Sequence, residues 1–293
     1  MSHMLRLSKG DFAIVGAVGI AVIVTRVLTR RMDPPGFLTF GVSVTLIVLL
    51  VLEVYRRLQI QIKEGAQEAQ VSIRNSYRQT EALHSVMNTI RPTTPLPLTT
   101  TWSAFPDLLN QLCALVLARR PGLIFEAGSG VSTLTMAYCL RRLGAGRIVS
   151  LENDPHFAVA TREMLAQHGL TDLATVVDAP IKEAIIAGER CSWYDVTRVP
   201  STEPIELLFV DGPHGLTQKG ARYPALPVLS SRLAADCVIV LDDGARADET
   251  AIAERWSREF GLKSDYLPLE KGAYVLTRCT SVHTAPPLHG QNR

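Results

Sequence analysis

The sequence predicts an α/β protein, a mostly parallel sheet covered by helices on both faces, with a pair of apolar helices placed before it. Two observations lead there. From residue 95 onward, apolar runs of strand length alternate with helical stretches, the pattern of a sheet whose two faces are both buried. Before residue 55, two uncharged runs stand on either side of a turn that contains Asp33, Pro34, Pro35 and Gly36.

The first apolar run, 12–25, carries no charge, and Arg26 lies just beyond it, where its guanidinium can reach a membrane interface. The second, 34–52, is uncharged for nineteen residues. As a helix rising about 1.5 Å per residue it nearly matches a hydrocarbon core of about 30 Å. Together, 12–54 reads as a transmembrane helical hairpin after a cytoplasmic segment, 1–11. A cleaved signal peptide for the first run, or a buried core helix for either, are the competing readings. No small-x-small cleavage site precedes the arginines and neither run has a polar face, which argues against both. Arg6, Lys9, Arg56, Arg57 and Lys63 outside the hairpin outnumber Arg26, Arg30 and Arg31 in its connection, which puts both ends inside. The expectation is a multi-pass protein of the inner (cytoplasmic) membrane with its large C-terminal domain in the cytoplasm. The five cysteines, scattered without a CxxC pair, read as reduced core thiols and agree with that compartment.

Residues 55–94 are charged and rich in Gln and Glu, with Leu58, Ile62, Ala69, Ile73, Leu83, Val86 and Ile90 at spacings mostly of three, four or seven. This is a helical linker. Its seam would pair two copies into a homodimer, but Gly65 and the polar stretch between Ile73 and Leu83 interrupt it, so dimer and monomer both stay open. Pro92, Pro95 and Pro97 end it. In the domain 95–280 a helix at 106–119 precedes a strand at 123–126, and a helix at 131–143, stopped by Gly144, follows. A strand at 147–152, a helix at 155–168 and a strand at 174–178 come next, then strands at 206–211 and 237–242. The runs 263–269 and 273–277, joined at Lys271-Gly272, close the domain as an antiparallel hairpin, and 281–293 is a flexible tail.

A net charge of +2 with acids and bases interspersed leaves no basic track for a phosphate backbone, so nucleic acid is not an expected partner. The chemistry is concentrated in the loop Glu126-Ala127-Gly128-Ser129-Gly130-Val131-Ser132-Thr133, between a strand and a helix. Two glycines let the backbone approach a ligand closely, as they also do in a dinucleotide fold. Thr133, however, stands where GxGxxG needs its third glycine, and the Glu126 carboxylate would repel a diphosphate while favouring a cationic ligand. S-adenosylmethionine, with a sulfonium and an ammonium, is such a ligand. Glu152, at the end of the second strand, is placed to accept both hydroxyls of a ribose.

In these residues the chain resembles the class I methyltransferases, and within them a bacterial group with a short EAGSGVST first motif. The resemblance covers about residues 95–278. It rests on Glu126, Gly128 and Gly130 in that motif, Glu152 in SLENDP, Asp178-Ala179 after the third strand, Asp211 in FVDGPHG and Asp242-Asp243 in VLDDG. It implies a Rossmann-like, seven-stranded sheet with its last strand antiparallel, which agrees with the C-terminal hairpin. It also implies that the first-motif backbone, Ser129 and Ser132 included, holds the methionine part of the donor. Glu152 with Asn153 would then hold the ribose, and Asp178 and Ala179 the adenine. Ser132 stands where the family's ExGxGxG has its third glycine.

Asp211 after the fourth strand and Asp242-Asp243 after the fifth line the sheet's carboxyl edge, where open parallel sheets bind ligands. Three converging carboxylates repel one another unless protonated, hydrogen-bonded or bridged by a cation. One reading makes them ligands of Mg²⁺ or Mn²⁺, which would orient an acceptor hydroxyl and lower its pKa, an arrangement similar to that of metal-dependent O-methyltransferases. The other has Asp211 touching cofactor or acceptor and Asp242-Asp243 capping the next helix. Asp211 and His214, three residues apart, are the candidate catalytic residues, His214 being either a general base or a turn-shaping surface histidine. His156 and His168 read as surface residues. Trp102, Trp193, Tyr194 and Tyr223 either wall a substrate pocket or pack in the core, and Arg222 either pairs with a substrate anion or is structural.

The reading that joins these residues is a methyltransferase that uses S-adenosylmethionine for O-methylation of a small-molecule, glycan or lipid-linked acceptor at the membrane face. A nicotinamide-dependent oxidoreductase and a membrane-tethered cofactor-binding module without turnover are the alternatives, the first lacking a YxxxK pair.

Overall fold

A computed structural model describes residues 37–96, 104–186, 188–199 and 203–278, together with 16, 19, 20, 23, 24, 26 and 27. The chain divides into two compact units, Met1–Arg74 and Asn75–Arg293.

The first unit contains most of a long helix, α1 (Phe37–Ile90). Sixteen residues of α1 precede its first charge, Glu53, about 24 Å of helix and short of a hydrocarbon core of about 30 Å. The helix does not break there. Arg56 and Arg57 pair with Glu53 at 2.8 and 2.9 Å within the same rod. Among the described residues no helix is long and apolar enough to cross a membrane. The transmembrane hairpin expected over 12–54, and with it the multi-pass reading, is thus without support among the described residues. Most of the first apolar run, the turn that follows it, 1–11, Trp102, Cys279 and 281–293 lie outside the described residues.

In the second unit the last turns of α1 join the core. Val86 and Ile90, one helical turn apart, are buried there, and Arg142 donates to the carbonyl of Thr89 at 3.1 Å. The helix α2 (Pro106–Arg119) opens on a proline, whose fixed φ suits the first helical position. Then follow β1 (Leu123–Ala127), α3 (Val131–Leu143), β2 (Arg147–Glu152), α4 (Pro155–Gln167), β3 (Ala174–Asp178), β4 (Ile181–Ile186), β5 (Glu189–Tyr194), β6 (Ile205–Val210), α5 (Ala225–Leu229), β7 (Leu233–Asp242), α6 (Ala247–Phe260), β8 (Leu262–Leu267) and β9 (Ala273–Arg278).

Seven strands form one sheet in the order β3-β2-β1-β6-β7-β9-β8. β1, β2, β3, β6 and β7 run parallel, and β9 is antiparallel to β7 and β8. The chain winds outward from β1 to β3, then returns to place β6 on the other side of β1. That reversal opens a crevice at the carboxyl ends of β1 and β6. Both faces are buried, as the near-continuous apolar strands require. Ile124, Ile148, Phe209 and Val240 pack on one face with Leu112, Leu134 and Met136; Phe125, Leu151, Val210 and Leu241 pack on the other with Trp193, Leu226 and Trp256.

Two features depart from the sequence reading. The antiparallel pair β4–β5 is a separate sheet where no element was expected. The middle of β4 is exposed and includes Lys182 and Glu183, so it lacks the apolar run that marks a strand. His168 is not a surface residue. It is buried edge-on against Tyr138, with its Nδ1 2.6 Å from the Tyr138 hydroxyl and 2.8 Å from that of Thr94, and burial holds its pKa below the ordinary value. Cys113, Cys139, Cys191 and Cys237 are buried free thiols, in line with the expectation from their spacing.

Trp256 is fully buried and its indole N–H donates to the Tyr223 carbonyl at 3.0 Å. Trp256→Ala is expected to cost about 3–5 kcal/mol in urea unfolding, whereas Phe157→Ala, at an exposed position, should stay within about 0.5 kcal/mol.

Candidate active site

β1 ends at Ala127, whose carbonyl oxygen accepts two backbone hydrogens, from Asp211 at 2.9 Å and Gly212 at 2.7 Å. The next amide, Gly128, donates to the Leu151 carbonyl at 3.0 Å. The tips of β1, β2 and β6 are thereby laced together at the reversal point. Residue 128 must be glycine on two counts: its φ is +99°, and an added Cβ would stand 3.2 Å from the Gly212 nitrogen. At Gly212 an added Cβ would collide with the Tyr194 hydroxyl. An added Cβ at Gly130 would meet nothing within 4 Å, so the loop faces open space there.

Glu126 is fully buried, and both its oxygens are taken by the first turn of α3. Ser132 Oγ donates to Oε1 at 2.6 Å and Thr133 Oγ1 donates to Oε2, while Thr133 Oγ1 accepts from the Gly130 amide at 3.0 Å. The serine that replaces the expected third glycine thus fastens the helix start to the strand. Burial pushes the Glu126 carboxyl up to about 7, against the lowering effect of these hydroxyl donors.

Glu152 is buried at the tip of β2. Its Oε2 accepts from Ser129 N at 3.1 Å and Ser129 Oγ at 3.0 Å; its Oε1 accepts from the amides of Asn153 at 2.9 Å and Asp154 at 3.0 Å. Ser129 Oγ also lies 3.1 Å from Thr161 Oγ1 on α4. Ala179, buried, donates its amide to the Glu152 carbonyl at 2.7 Å, so the residue after β3 stands against the same strand tip. Asp178 is held elsewhere: its carboxylate pairs with Arg162 at 2.8 Å.

Asp211, Asp242 and Asp243 also meet, with one oxygen of each within 4.8 Å of the others. Between them lies Arg222. Its Nη2 donates to Asp211 Oδ1 at 3.1 Å and Asp243 Oδ2 at 2.6 Å, and its Nη1 donates to the Asp242 carbonyl at 2.9 Å and lies 3.7 Å from Glu249. Arg246 adds a 2.8 Å pair to Asp243. The capping alternative does not hold for Asp242-Asp243: the residue before α6 is Arg246, and no side chain caps that helix. Burial and then the neighbouring Asp242 carboxylate push Asp211 well above the usual carboxylate range.

His214 is exposed, and its Nδ1 accepts from the Leu216 amide at 3.2 Å, so the ring shapes its own turn. Of the aromatic candidates, Tyr194 reaches the glycine loops. Burial, followed by the charges of Glu152 and Asp211, raises its pKa well above the ordinary value and keeps it a hydrogen-bond donor. Trp193 is buried core, and Tyr223 is turned away, donating to Glu259 at 2.8 Å with the Arg255 guanidinium 3.6 Å over its ring. Sequence reasoning missed the central place of Arg222 and the contact made by Thr161; neither lies in a motif that marks it.

Residues 125–244 match a family model described as a methyltransferase domain. No curated protein matches the chain. Among solved structures, the chain is similar to a methyltransferase of Podospora anserina, PaMTH1, bound to S-adenosylhomocysteine (18% identity, TM-score 0.51, 71% of this chain and 94% of that one). It is also similar to the O-methyltransferase TomG of Streptomyces achromogenes with S-adenosylmethionine (18%, 0.48, 70% and 95%). At this identity the likeness to the first is one of fold.

The buried Glu126 has a consequence for stability. Its folded-state pKa of about 7 lies above the ordinary 4.5, so the folded chain holds a proton that the unfolded chain releases in that window, and stability falls as pH rises through it. Glu126→Gln is expected to flatten this slope by up to about 3 kcal/mol between about pH 4.5 and pH 7 in urea melts. An unchanged slope would place its origin in other groups.

Proposed function

We propose that this chain is a class I S-adenosylmethionine-dependent methyltransferase, a reading supported by the methyltransferase-domain match over residues 125–244, that it methylates a hydroxyl of a small acceptor, and that Asp211 removes the acceptor's proton. Methyl transfer is an in-line displacement at the sulfonium carbon, so the protein's work is to align nucleophile with methyl and to take up a proton.

In this reading the open backbone at Gly130 receives the methionine part of the donor, and Glu152 receives the ribose. The oxygens of Glu152 are occupied by Ser129 and two amides, so ribose hydroxyls would take over the place of Ser129 Oγ, which has Thr161 as a second partner. Ala179, beside the same strand tip, would contact the adenine. The observation that carries the proposal is the pair of hydrogen bonds from the Asp211 and Gly212 amides to the Ala127 carbonyl. They fix an acid whose pKa burial raises next to the donor loop, and a carboxylate of raised pKa is the stronger base. The loop that follows, with His214 and Leu216 exposed, offers a surface on which an acceptor can rest.

S-adenosylhomocysteine should raise the melting temperature of the protein, and NAD should not. Glu152→Ala is expected to weaken S-adenosylhomocysteine binding by about 10–100-fold in calorimetry, the loss of hydrogen bonds to a charged group. Asp211→Asn should keep that binding while lowering turnover about 10²–10⁴-fold, measured as labelled methyl transfer to a panel of hydroxylated small molecules. Turnover equal to that of the native enzyme would remove Asp211 from its assigned role.

A further inference from the structure

We infer that Arg222 stands in for a divalent cation: the carboxylates at the ends of β6 and β7 are neutralised by an internal guanidinium, and this edge neither needs nor binds Mg²⁺ or Mn²⁺. The inference concerns the cluster alone and does not depend on which acceptor is methylated.

The donor set by itself suits a hard cation, because three carboxylate oxygens from two adjacent strand ends lie within 4.8 Å of one another. The guanidinium is already among them. A metal bridging Asp211 and Asp243 would compete for the oxygens that accept from Arg222 Nη2 at 3.1 and 2.6 Å. Arg222 is not a surface side chain free to swing aside: its side chain is 4% exposed. It is anchored at its other nitrogen by the Asp242 carbonyl at 2.9 Å, with Glu249 at 3.7 Å. Its planar fork reaches two carboxylates and a carbonyl at once, a task for which a lysine ammonium has the wrong shape.

Charge balance points the same way. Asp211, Asp243 and Glu249 pair directly with Arg222 or Arg246, Asp242 offers Arg222 its carbonyl oxygen, and Lys271 lies close enough to the Asp242 carboxylate to act on it. With all four acids ionised the three cations leave one negative charge, and with a proton on any one acid they leave none. A dication added to that set would turn the edge positive, beside a site read here as binding a positively charged donor. A guanidinium and a metal ion are therefore alternatives at this place, and the sequence supplies the guanidinium.

The test is a Mn²⁺ titration followed by electron paramagnetic resonance, with melting temperatures in Mg²⁺, Mn²⁺ and chelator; neither readout needs methyl donor or acceptor, so the result is separable from the fate of the proposed reaction. The native protein should leave the free-ion Mn²⁺ signal undiminished and melt at the same temperature with metal and with chelator. Arg222→Met should melt lower, and Mn²⁺ should bind to it and raise its melting temperature, a gain lost again when Asp211→Asn is added. Mn²⁺ binding by the native protein that Asp211→Asn abolishes overturns the inference, as does a folded Arg222→Met protein that binds no Mn²⁺. If Arg222→Met does not fold in any condition, the native titration decides alone: no binding upholds the inference and Asp211-dependent binding defeats it.

Discussion

One carbonyl oxygen, that of Ala127, sets the geometry of the whole carboxyl edge. By accepting from both the Asp211 and Gly212 amides it fixes how far apart the loops after β1 and β6 can lie. Each such bond contributes only about 1 kcal/mol net. Their weight lies in what they forbid. With the two loops this close, a Cβ at residue 128 would crowd the Gly212 nitrogen at 3.2 Å, and residue 212 has no room for one because the Tyr194 hydroxyl already fills the space. Asp211 in turn cannot drift from the loop that opens at Gly130.

The second constraint is electrostatic. Glu126, Glu152, Asp178, Asp211 and Asp242 all stand at or beside the carboxyl ends of parallel strands, and each is handled differently. Glu126 is neutralised by burial, Glu152 by backbone amides and Ser129, Asp178 by Arg162, and the Asp211 group by Arg222. Because these compensations are local, the edge keeps a negative character without leaving a buried charge unmatched, which would be costly. An edge of that kind suits a cationic ligand and repels a diphosphate.

The parallel strands were legible because a strand buried on both faces must be a continuous apolar run, and β1, β2, β3, β6 and β7 each lie on such a run of strand length. That Ser129 and Glu152 lie at one sheet edge was legible in the order of the elements, whereas the hydrogen bonds between them were not anticipated. The remainder was hidden by distance along the chain. Arg222 meets partners 11, 20 and 21 residues away, and no periodicity marks an arginine for such a place. His168 read as a surface residue because its partner, Tyr138, lies 30 residues earlier. In the N-terminal unit an absence of charge invited a membrane reading, which no helix among the described residues is long and apolar enough to support. Val86 and Ile90, read as part of an apolar seam of the same helix, pack into the core of the domain that follows them.

The β4–β5 pair shares no strand pairing with the main sheet, although its last residue, Tyr194, presses on the glycine loops. The wall nearest the donor loop is thus borne by an appendage whose length and outer residues are free of the sheet's register. Descendants of this scaffold can therefore be retooled for new molecules by remaking that appendage, while the inherited machinery beneath it stays as it is.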